Sequence, residues 1–130
     1  MTARTTTRWR KTAGTIFICL AGAVFFAALW FRATYHFFPG LVPTVVHWCG
    51  RDYETGDNGQ QTWAQITAAE RPRQIHVVGT YPPILGFSRP LLAPAAPGVR
   101  PPGPGAPCAM VVYLRTGPGR YQGFSLEGGP

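Results

Sequence analysis

Beyond residue 41, four histidine and cysteine side chains of this 130-residue chain have the chemistry of metal ligands or thiol catalysts: His47, Cys49, His76 and Cys108. Two of them share the stretch "VVHWCGRDYE", residues 45 to 54, where the cysteine follows the histidine by two positions. Imidazole and thiolate both bind zinc, and a thiol beside an imidazole base is also the makings of a nucleophile. Each reading needs more than residue type. Zinc ligands are recognised by close pairs such as CxxC or HxxxH, and neither pair occurs. A cysteine nucleophile needs a positioned base and oxyanion donors, and no local signature supplies them. Without CxxC there is no dithiol redox motif, and without CxxCH no haem attachment. Walker A, HExxH and GxSxG are missing as well, so no cofactor is expected.

A crosslink is the third chemistry open to the two thiols. Cys19 lies in an apolar run, where a small thiol needs no special role. Cys49 and Cys108 lie beyond that run. Cys49 is expected to end one strand and Cys108 to begin another. Antiparallel pairing of those strands would bring the two within disulfide geometry. Closing a loop of about sixty residues is worth roughly 4 kcal/mol in the chain-entropy model, and a small foldable core is marginal without such help. A Cys49–Cys108 disulfide is therefore expected. A thiol- or zinc-dependent envelope enzyme using Cys49, His47, His76 and Cys108 is the alternative.

The elements that must position these groups begin with a membrane segment. Residues 13 to 31 read "AGTIFICLAGAVFFAALWF", nineteen residues without a charge. As a helix rising about 1.5 Å per residue, this run matches the hydrocarbon thickness of a bilayer. Trp9 and Trp30 flank it as candidate interfacial anchors. Arg4, Arg8, Arg10 and Lys11 precede it and Arg32 alone follows closely, which puts residues 1 to 12 in the cytoplasm and the rest outside. A cleaved signal peptide, releasing a secreted domain, is the rival reading. The apolar run is longer than a signal's central region, and no convincing cleavage site follows it.

Residues 32 to 41, "RATYHFFPGL", form an aromatic collar expected at headgroup depth. Residues 42 to 130 are expected to make a small extracytoplasmic domain. "VPTVVHWC" reads as a strand, "DYETGDNGQQ" as a turn without the acid spacing of a calcium loop, and "TWAQITAAERP" as a short helix. Thr62 and Gln65 fit a capping box, and Pro72 supplies the stop. "QIHVVGTY", 74 to 81, is a strand with Ile75 and Val77 on one face and His76 and Val78 on the other. Residues 82 to 107 hold nine of the 14 prolines and read as a Pro/Gly-rich loop. From Cys108, alternation followed by "TGPG" and a second run reads as a hairpin. The fold class expected is α+β: a transmembrane helix, then a small, mainly antiparallel β domain with one short helix and a disulfide.

The net charge of +7 is concentrated at the start of the chain. Beyond residue 31, eight arginines face five acids and are spread out, so no nucleic-acid surface is expected. The single Lys, the eleven Arg, the basic start, "CGRDYE" and "GRYQGFSLEGGP" together resemble small single-pass membrane proteins of actinobacteria. That resemblance implies the topology and no activity. A non-enzymatic binding or accessory module is the expected role, contacting the bilayer and another membrane or envelope protein, envelope polymer or a second copy. Tyr35, Phe37, Phe38, Tyr113 and Tyr121 are the candidate contact residues.

Overall fold

The computed structural model describes residues 5–35, 37, 41–84, 86, 88–103 and 107–127, which fall into two compact units, 1–39 and 40–130. In the first unit, helix α1 runs Thr5–Tyr35, and its stretch Ala13–Tyr35 is long and apolar enough to cross a membrane. It displays its apolar side chains instead of burying them: Phe17, Ile18, Val24 and Phe26 are each about two-thirds exposed or more. A helix apolar on every side is at rest only where its surroundings are apolar too. The helix outlasts the apolar run, carrying Arg32 and Tyr35 in its last turn, so the first four residues of the expected collar are helical. Phe31 packs its ring against Tyr35 at 4.8 Å and Phe37 at 5.3 Å. Phe38, and the side chain of Trp9, lie outside the described residues.

The second unit is an antiparallel sheet of six strands with one short helix. In chain order these are β1 (Val45–Trp48), β2 (Arg51–Thr62), α2 (Trp63–Ala69), β3 (Gln74–Tyr81), β4 (Arg89–Ala95), β5 (Val111–Gly117) and β6 (Arg120–Leu126). They lie in the order β1-β2-β6-β5-β4-β3, which leaves β1 and β3 as the edges. The sheet curls into a half-barrel. A Cβ built on Gly79 of β3 would stand 3.8 Å from Trp48 Nε1 of β1, so the two edges approach each other.

Cross-strand partners share a face, and the register sorts the core accordingly. Val46, Tyr53, Phe124, Val112, Leu114 and Leu91 form a continuous inner row and are all but inaccessible. On the outer face α2 lays Ile66 over Leu92 and Tyr113, with Ile75, Val111 and Tyr121 around them. The helix is set by its ends. Thr62 accepts from the Gln65 backbone, and the Gln65 side chain returns to the Thr62 backbone at 2.7 Å, completing the expected capping box.

Two expectations are corrected. "DYETGDNGQQ" is not a terminating turn but most of β2. Gly56–Gly59 bulge out opposite Gly123 alone, and pairing with β6 resumes at Gln60. The turn formers bend the strand, and the neighbouring strand keeps it going. The Pro/Gly-rich tract is likewise not all loop, since β4 lies inside it with residues 91 to 95 buried. Prolines cannot donate to a ladder, and the pairing adapts: contact with β5 is confined to Leu91 and Leu92, between Pro90 and Pro94. Ile75 and Val77 do share a face, but α2 covers only Ile75 and leaves Val77 66% exposed. Alternation stops at a bulge between Val77 and Gly79. The hairpin forms as expected, although pairing starts at Val111 and not at Cys108.

Candidate functional site

Cys49 and Gly50 are the two central residues of the β1–β2 hairpin, both at positive φ (58° and 69°). That is the conformation a two-residue turn needs to match the twist of its strands, and Cys49 adopts it despite its Cβ. Cys108 lies just ahead of β5. The two sulfurs are bonded, with the Cα atoms 6.1 Å apart and a sequence separation of 59. The expected pair is right, yet β1 and β5 are not neighbours. The cysteines meet beyond the last paired residue of β6, Leu126. There Tyr53 Oη donates to the Ala109 carbonyl at 2.8 Å and the Leu126 amide to Met110. Burial raises the pKa of the Tyr53 phenol, opposed by the charge of Arg51.

With the bond formed, neither sulfur is a thiolate able to ligate or attack. The histidines do not converge either. His47 lies on the outer face, where its Nδ1 donates to Asp52 at 2.7 Å in the open. His76 pairs with Ala93 and faces inward. Among the described residues, no group of three or more His, Cys, Asp or Glu could hold a metal ion. An open cavity of about 360 Å³ beside the hairpin turn is lined by Gly50, Arg51, Asp52, Leu126 and Glu127, and neither histidine reaches it.

A second polar cluster was not foreseen. Glu70 caps the C-terminus of α2 and is 5% exposed. Tyr113 Oη donates to Glu70 Oε1 at 2.6 Å, and Arg73 Nη2 faces the other carboxylate oxygen at 2.6 Å. That second oxygen is shut off from solvent and is satisfied by charge more than by a well-aligned hydrogen bond. Burial, then the hydrogen bond and charge of Glu70, push the Tyr113 pKa up, with Arg73 opposing. The cluster ties the end of α2 to β5. Tyr113 is thus a core residue, 5% exposed, and is withdrawn as a contact candidate.

The outer surface also carries an aromatic pair. Trp63, the first residue of α2, is 45% exposed and packs on Tyr121 with ring centroids 5.6 Å apart. Tyr121 is one of the residues expected from the sequence as a contact; Trp63 is not among them. Tyr35 and Phe37 remain beside Phe31, in the first unit. No family model, no curated protein and no solved structure matches the chain.

Proposed function

We propose that the chain is a membrane-anchored binding or accessory module, with residues 1 to 12 cytoplasmic and residues 42 to 130 on the outer face of the cell membrane. One observation carries the reading: the half-barrel fills its own interior. Tyr53, Phe124, Leu91 and Leu114 occupy the space where a substrate cleft would lie, which leaves the outer surface for recognition. The disulfide is the expected staple of a small domain in an oxidising compartment. The excess of basic residues before α1 favours the cytoplasm for the N-terminus. The resemblance to small actinobacterial single-pass proteins agrees with this layout. Tyr35 and Phe37 serve at the bilayer, and Trp63 with Tyr121 serves away from it. Photo-crosslinking from position 63 in intact cells should give a reproducible adduct, of protein or polymer, that is lost with Tyr121→Ala. A monomer without an adduct, turning over a small substrate, would sink the proposal.

A further inference from the structure

Tyr121 is the centre of a row. Its Cα partner in β5 is Arg115 and its Cα partner in β2 is Gln61, so register places all three side chains on the outer face. Trp63 follows Gln61 by two residues and closes the row against the Tyr121 ring. The platform is rigid, because Tyr121 rests on Ile66, Leu92 and Tyr113. Its polar groups are open. The Gln61 amide, Tyr121 Oη and Trp63 Nε1 have no partner among the described residues. Arg115 uses only Nε, toward the Gly117 carbonyl at 3.4 Å, which leaves its terminal nitrogens available.

We propose that this Trp63–Tyr121–Gln61–Arg115 row binds an acidic polysaccharide, one sugar stacked on the exposed Trp63 ring beside Tyr121 and its carboxylate held by Arg115. The proposal deepens the binding-module reading and rests on it. Sugar rings present polarised C–H faces that stack on the electron-rich faces of Trp and Tyr. The amide and phenol match vicinal hydroxyls, each a donor and an acceptor. A guanidinium with its terminal nitrogens exposed takes a carboxylate in a bidentate pair. The charge fits: Arg115 is the row's one charged member and is exposed, and the nearby buried acid, Glu70, is already neutralised by Arg73. An open row, with Trp63 and Tyr121 tilted 51° to one another, also suits a chain polymer better than a small molecule, which needs enclosure.

The test uses the full chain in neutral-lipid nanodiscs and beads bearing polygalacturonate, with amylose beads as the neutral control. Retention on polygalacturonate should exceed that on amylose and fall about tenfold with Trp63→Ala, the loss expected of an interface anchor. Trp63→Phe should restore most of it, and Arg115→Gln should abolish the preference for the acidic polymer. Val77→Ala, at an exposed site elsewhere, should change nothing. A urea midpoint close to that of the native protein, with the slope unchanged, shows each variant to be folded. Equal retention by folded Trp63→Ala overturns the inference, as does displacement by single-stranded oligonucleotide or by anionic vesicles in preference to free polygalacturonate. If the beads fail while crosslinking in cells still yields a protein adduct at position 63, only the polysaccharide inference falls. If neither gives a signal, the binding-module reading falls with it.

Discussion

Glu70 is a carboxylate held out of water by one phenol and one guanidinium, and each partner has a measurable weight. Tyr113→Phe keeps the ring over Ile66 but leaves a buried oxygen without its donor. That should cost about 1–3 kcal/mol in a urea titration, with the slope unchanged. An unchanged midpoint would mean that water replaces the phenol. The same residue gives a pH dependence. The Tyr113 pKa is raised above its ordinary value of 10.0, so the folded state holds its proton after the unfolded chain has released it. Its contribution is complete below about pH 10 and declines as pH rises toward the folded-state value, because the unfolded state then binds fewer protons. Tyr53 adds in the same direction. Stability should therefore fall above about pH 10, and less steeply in Tyr113→Phe; a parallel alkaline limb in the two proteins would contradict this.

At the scale of elements, the disulfide holds the β1–β2 turn to the lead-in of β5, across the end of β6. Replacing both Cys49 and Cys108 by Ser should lower stability by up to about 4 kcal/mol in the chain-entropy model. The loss should match that of the native protein under reductant, and a double variant as stable as the oxidised protein would make the bond incidental. The elements legible in the sequence were those whose signals are local. Thr62 and Gln65 announced α2, Gln74–Tyr81 announced β3, and "TGPG" announced the β5–β6 turn. β2 and β4 were hidden because their partners override their composition: β6 carries β2 past Gly56–Gly59, and β3 holds β4 despite two prolines. The outer row was illegible for a related reason. Gln61, Tyr121 and Arg115 become neighbours only through the register of three strands, and no spacing in the chain encodes it. The exposure of Trp63 was not legible because it lies three positions before Ile66 on the helix, and only the sheet shows that α2 buries Ile66 alone.

The whole molecule joins an apolar helix that displays its side chains to a small sheet with a buried core of its own. The first is stable only in apolar surroundings, and the second relies on a bond that forms where thiols oxidise. The two requirements agree if the chain crosses a membrane once, near residues 13 to 35, and leaves the sheet outside. Every proposed contact depends on that placement, since a row meant for an outer polymer is useless in the cytoplasm. The direct measurement fuses, after Pro130, a reporter enzyme that becomes active only outside the cytoplasm. The account predicts full reporter activity that sediments with the membranes. An inactive reporter would put the half-barrel on the wrong side, and active reporter released intact into the medium would replace the anchor with a cleaved signal; either result contradicts the account.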